Sequence, residues 1–203
     1  MIRINCLLVA LLLLFTGCAS SPPRQPDNLC AIFEEKRDWY KASRRASKRW
    51  GAPVHIPMAM MYQESAFKHD ARPPMRFFLG IIPLGRPSSA YGYSQAKNAS
   101  WKDYQRETGN GWADRKDFAD AVDFMQWYID KSRRVNGVSK WDGYALYLNY
   151  HEGWSGYKRK SYANKAWLID TAKKVDARAK RYAAQYQRCE KKLKRGWFRR
   201  LLS

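Results

Sequence analysis

Apolar residues recur at steps of three and four along most of the chain, and no strand-like alternation of any length appears, so the pattern predicts an all-α domain. The first helix is expected from Asp27 or Asn28, either of which can cap it, to about Trp50, where Gly51 and Pro53 end it. A second begins around Pro57, a residue suited to a first helical turn, and carries Glu64. A third runs from Ser94 to about Thr108 and stops at Gly109, and a fourth from Asp114 to about Val135 places Phe118, Ala121, Val122, Met125, Tyr128 and Ile129 on one face. Trp141 to Tyr150 reads as a fifth helix and Asn164 to about Leu193 as a long sixth. In the sixth, Leu168, Ala172, Val175, Ala179, Tyr182, Tyr186, Cys189 and Leu193 form a core-facing stripe. The stretch from Arg72 to Tyr91 does not fit a helix and has room for a small hairpin.

Residues 27–193 make one domain, with no Gly/Ser linker or repeat dividing them. Ahead of it, residues 1–17 have Arg3, a leucine-rich run too short to span a bilayer, and small residues before Cys18, which is the order of a secretory signal. Phe15-Thr16-Gly17-Cys18 resembles a bacterial lipoprotein cleavage site, which implies a lipid on Cys18 and a membrane tether. The absence of Asp at Ala19 and Ser20 favours, by the same resemblance, the outer membrane facing the periplasm. Residues 18–26, with Pro22, Pro23 and Pro26, read as an extended spacer, and residues 194–203 as a short basic tail, a frayed end in preference to an interfacial anchor, although Trp197, Phe198, Leu201 and Leu202 mix apolar and cationic character as such anchors do.

Export changes the reading of the four cysteines. Cys6 leaves with the signal and Cys18 carries lipid, so Cys30 and Cys189 remain as a pair in an oxidising compartment, where a disulfide is expected; two buried thiols are the alternative. It also changes the reading of the charge. A formal +20, from which loss of the signal removes only Arg3, calls for a polyanionic partner. Nucleic acid is the usual one, but an exported chain meets peptidoglycan carboxylates and anionic lipid instead, and Arg44-Arg45 and Lys173-Lys174 are also positions where charges simply face water. No metal-ligand spacing joins His55, His69 and His151, and no cofactor is implied.

The candidate for chemistry is Glu64, whose neighbours from Ile56 to Phe67 are mostly apolar. Burial disfavours the charged carboxylate, so such an acid holds a proton near neutral pH, as a general acid must. Two blocks follow it: Tyr91-Gly92-Tyr93-Ser94-Gln95, a glycine turn leading into a helix, and Asn149-Tyr150-His151-Glu152-Gly153, at the end of another. Asp70 and Glu152 are the other acids to weigh for glycoside chemistry, which commonly uses two.

The three blocks, in this order and spacing, resemble the lysozyme-like lytic transglycosylases of the SLT type. There the first block is Glu-Ser with an aromatic two positions on, as in Glu64-Ser65-Ala66-Phe67; the second is Gly-Leu-Met-Gln, against Gly92 to Gln95; the third is Ala-Tyr-Asn-Ala-Gly, against Asn149 to Gly153. The resemblance spans roughly Met58 to Gly156 and implies a goose-type lysozyme fold and peptidoglycan glycan strands as substrate. It makes Glu64 the catalytic acid and then base, with Ser65, Gln95 and Tyr150, and with less support Tyr93 and His151, at the substrate. Tyr93-Ser94 and His151 depart from the family pattern. The implied reaction cleaves the MurNAc–GlcNAc bond to leave a 1,6-anhydromuramoyl end; a hydrolytic muramidase and a noncatalytic glycan-binding lipoprotein are the alternatives. Tyr91, Tyr93, Trp154 and Tyr157 flank the blocks and are candidates to line the glycan groove, while Trp39, Trp127 and Trp167 read as packing. The apolar insertion Arg72 to Pro87 then reads as a lid over that groove, a packed loop or a partner site.

Overall fold

The computed structural model describes residues 21–198; the signal, Cys18 and the last five residues of the basic tail lie outside them. Among the described residues the order is α1 (Leu29–Glu35), α2 (Arg37–Trp50), α3 (His55–Ser65), β1 (Arg76–Phe78), β2 (Ile82–Gly85), α4 (Asn98–Thr108), α5 (Phe118–Asn136), α6 (Gly143–Lys158) and α7 (Ala166–Phe198). The domain is all-α apart from the antiparallel pair β1–β2.

Helix α3 is the axis of the molecule. Ile56 to Met61 are all buried, and a helix apolar on every side can only be satisfied inside others. It packs against α7, α5 and α6, while α2 lies along α5 and α6 along α7. The junction after α2 is held by a buried side chain acting as backbone: Gln126 of α5 accepts from Ala52 N–H at 3.2 Å and donates to the Ala52 carbonyl at 3.0 Å. The long stripe of α7 is buried as its spacing requires, from Leu168 through Cys189 to Leu193, except for the partly exposed Tyr186.

Several boundaries differ from the pattern for local reasons. The first predicted helix is two: Asn28 caps α1 by accepting from Cys30 and Ala31 N–H, but Lys36 leaves helical geometry at φ −109°, ψ 71°, and α2 starts afresh. Helix α4 begins at Asn98, not Ser94, because residues 91–96 form a closed turn bridged between Tyr91 and Ala96. Helix α5 starts at Phe118, where Asp117 accepts from Asp120 N–H as an N-cap. Helix α6 runs on past Tyr150 to Lys158, with a kink where Gly153 takes φ 74°, ψ 166°, a region open essentially to glycine alone. Trp167 is 58 % exposed rather than packed, whereas Trp39 and Trp127 are core.

Cys30 and Cys189 form a disulfide, Cα atoms 6.0 Å apart, that joins α1 to α7. The insertion between α3 and α4 is a hairpin whose strands bury no face: every residue from Pro74 to Leu84 is exposed, so it is not a packed loop.

Candidate active site

Glu64 stands one residue from the C-terminal end of α3, and the chain turns sharply after it. Ala66 and Phe67 both adopt left-handed backbone, at φ 49° and 61°, a conformation uncommon outside glycine. The turn drives Phe67 into the core against Trp39 and Tyr62, at ring distances of 5.7 and 5.8 Å. Glu64 is thereby left at the edge of the packed interior with part of its surface open. The protein mass around its carboxyl desolvates the charged form and pushes its pKa up to about 7, and a hydrogen bond from the Tyr147 hydroxyl offsets part of that rise. In turn burial and the Glu64 charge drive the Tyr147 phenol well above its ordinary value.

The second block is fixed from three sides. Gly92 N–H donates to the Ala71 carbonyl at 3.0 Å, and Tyr93 N–H to the Arg115 carbonyl at 3.2 Å. Gln95, at φ 52°, donates both hydrogens of its amide, to Ala71 O at 2.8 Å and Gly92 O at 2.9 Å. Its NH₂ has no donor left for a sugar; only the amide oxygen keeps capacity, as an acceptor. Tyr93 is buried, its ring edge-on to Trp39 and Phe118, which stack on each other at 4.0 Å, so it roots the loop in the core. Ser65 is likewise spent within the fold: its hydroxyl donates to the Tyr93 carbonyl at 2.7 Å and also lies 3.2 Å from Met61 O, a direct tie between the acid's helix and the second block.

Tyr150 closes the triangle. Its hydroxyl donates to the Ser94 carbonyl at 2.6 Å and not to Glu64, and burial together with the nearby Glu64 charge raises its pKa well above 10. Tyr147 and Tyr150 are three residues apart on one face of α6 and reach the acid and the second block respectively. Tyr147 escaped the sequence reading because Ala145-Leu146-Tyr147-Leu148 looks like plain core; its i, i+3 spacing from Tyr150 was the available signal.

The rest of the third block faces elsewhere. His151 is exposed, its Nδ1 3.0 Å from Glu152 and its ring edge-on to Trp167 at 5.1 Å. Burial alone would raise the Glu152 pKa, but Lys165, 2.8 Å from both oxygens, with Ser161 and His151, outweighs it and holds the carboxyl at about 2. Glu152 therefore pins the α6 kink to the turn before α7 as a permanent anion. Asp70 is exposed, with His69 at 4.0 Å. Among the described residues no other carboxylate shifts the Glu64 pKa, which burial and Tyr147 set.

Of the groove aromatics, Trp154 stacks on Tyr128 at 4.5 Å and donates to Ser132 at 3.1 Å, so it is packing. Tyr157 stacks on Tyr162 at 5.5 Å, and the guanidinium groups of Arg72 and Arg115 lie over the Tyr91 ring at 4.2 and 5.3 Å. A cavity of about 750 Å³, lined by Arg44, Lys48, His55, Trp141 and Lys180 among others, opens at the other end of α3. Nine residues separate His55 from Glu64, which at 1.5 Å each put the cavity about 13 Å from the acid, so it is not where Glu64 works.

Comparison with known proteins adds the last piece. No curated protein matches the chain. A family model described as a transglycosylase SLT domain matches residues 6–189, which takes in Glu64, the Gly92 turn and the Tyr147–Tyr150 face. With the match covering most of the chain and the helical fold it implies observed, the chain belongs to the transglycosylase SLT domain family.

Proposed function

We propose that the protein is a peptidoglycan lytic transglycosylase with Glu64 as its single acid and base. The observation that carries this reading is a carboxyl of pKa about 7, hydrogen-bonded by Tyr147, on which no other carboxylate among the described residues acts. A general acid works best with a pKa near the operating pH. Glu64 gives its proton to the glycosidic oxygen as the bond from MurNAc C1 breaks, and the MurNAc acetamide oxygen bonds to C1 from the other face. The Glu64 carboxylate then takes the proton of the C6 hydroxyl, O6 bonds to C1, and the acetamide is released. One acid thus serves both steps and no water is consumed. Ser65, Gln95, Tyr93 and Tyr150 hold the loop and acid in place rather than the sugar, apart from the free acceptor on Gln95. The leader 1–17, lipid on Cys18, spacer 18–26, catalytic unit 27–193 and an outer-membrane location facing the periplasm belong to the same proposal, supported by the sequence of residues 15–20.

The test is digestion of purified sacculi with the parent and with Glu64→Gln, followed by mass spectrometry of the products. Anhydromuramoyl ends that drop by about 10² or more in the variant are expected, the usual scale of a lost general acid. Reducing ends in place of anhydro ends would make it a muramidase. Binding to sacculi without products would make it a noncatalytic member of the family.

A further inference from the structure

We propose that the β1–β2 hairpin is a finger that seats the domain on an anionic phospholipid surface. Six large apolar side chains, Phe77, Phe78, Leu79, Ile81, Ile82 and Leu84, are each more than half exposed, reaching 80 % at Ile81. Such a contiguous apolar patch marks an interaction site on a soluble domain. Successive strand residues point to opposite faces, so exposed Phe77 and Phe78 make both faces of the hairpin apolar. A lid closing over glycan offers one face to hydroxyl-rich sugar, and a protein cleft also takes one face or one edge. A hairpin apolar all round suits surroundings that are apolar all round.

The tip points the same way. Ile81 N–H donates to Phe78 O at 3.1 Å, and the two residues inside this turn, Leu79 and Gly80, have φ of 49° and 76°. A turn with both central residues left-handed favours Asn, Asp or Gly. Leu79 is poor for the turn, and it is 79 % exposed at the outermost point. The base is cationic. Arg72, Arg76 and Arg86 collar the strands, and no Asp or Glu occurs from Ala71 to Lys102. Tyr91, with Arg72 and Arg115 over its ring, sits at the root as interfacial aromatics do. Strands of three and four residues reach only about 10–13 Å, so the tip enters one leaflet while the arginines stay with the phosphates. Shallow seating also keeps the unpaired strand edges out of the hydrocarbon, where they are costly.

The proposal is independent of the glycan chemistry and is tested without it. The chain from Ser21 onward, which contains every described element and the disulfide, is sedimented with vesicles of phosphatidylglycerol and phosphatidylethanolamine, and with vesicles of phosphatidylcholine alone. The parent is expected to bind the anionic vesicles preferentially. Phe78→Ser/Leu79→Ser/Ile81→Ser is expected to weaken that binding at least about tenfold with an unchanged melting temperature, since these side chains support no packing. Unchanged vesicle binding in the triple variant overturns the proposal and assigns lipid affinity to the basic helices. Loss of sacculus binding alone makes the hairpin a glycan lid, and loss of a co-purifying protein alone makes it a protein-docking site; either result also overturns it.

Discussion

At the scale of the residue, what distinguishes Glu64 is a balance between two neighbours' effects. Burial disfavours its charge, and the Tyr147 hydroxyl favours it, leaving a pKa of about 7. The first step needs the protonated acid, so turnover is expected to fall as pH rises through 7. Tyr147→Phe removes the group that stabilises the carboxylate, so the alkaline limb is expected to move to higher pH while the fold survives. A pH profile of anhydro-product formation in the two proteins checks this; an unmoved limb would mean that Tyr147 does not set the acid. The raised pKa also has a sign for stability. Between the usual carboxylate range and pH 7 the folded chain binds the proton that the unfolded chain has lost, so Glu64 costs stability progressively as pH rises across that window. Glu64 on an apolar helix reads by itself as a structural acid, and it is the two blocks after it, Tyr91 to Gln95 and Asn149 to Gly153, that make it the candidate. Tyr147 was not legible in the sequence, because a phenol in an apolar helix looks the same whether its hydroxyl meets a backbone carbonyl or a catalytic acid. The substrate roles expected for Ser65 and Gln95 rest on their positions in the blocks, whereas the observed hydrogen bonds turn both side chains onto backbone carbonyls.

At the scale of the element, periodicity located the helices and failed at their ends. The stripe of α7 and the face of α5 are buried as spacing demands, since a helix has only one way to present such a stripe to a core. The break at Lys36 and the continuation of α6 through Gly153 have no periodic signature, because both depend on what the neighbouring element offers. Helix α1 illustrates this. Seven residues are too few to hold a helix alone, and α1 is held by α7: Leu29 N–H donates to Gln185 at 2.8 Å, Gln185 donates back to the Asp27 carbonyl at 3.0 Å, and the disulfide closes beside them. Replacing Cys30 and Cys189 by Ser is expected to cost about 2–5 kcal/mol, the usual loss for a native disulfide. Urea midpoints of the parent and the double variant measure it, and a difference under about 1 kcal/mol would show that the polar contacts to α7 suffice without the bridge.

At the scale of the whole molecule, the disulfide partner Cys30 lies close behind the spacer, so an N-terminal lipid would pull on the α1–α7 corner of the domain. Metabolic labelling with palmitate is expected to mark the parent and not Cys18→Ser; label retained in the variant would remove the anchor from the proposal. A lipid at that corner and a finger between α3 and α4 would give the domain two points of attachment, and two points set an orientation where one sets only a distance. The finger's root is the Ala71 carbonyl, and that one oxygen accepts both Gly92 N–H and the Gln95 amide. Mechanically Ala71 is a fulcrum: the hairpin is the long arm, and the loop that meets Tyr150 beside Glu64 is the short one. A load on the tip therefore reaches the loop beside Glu64 by two routes, through the Ala71 carbonyl and along the chain from Arg86 to Tyr91.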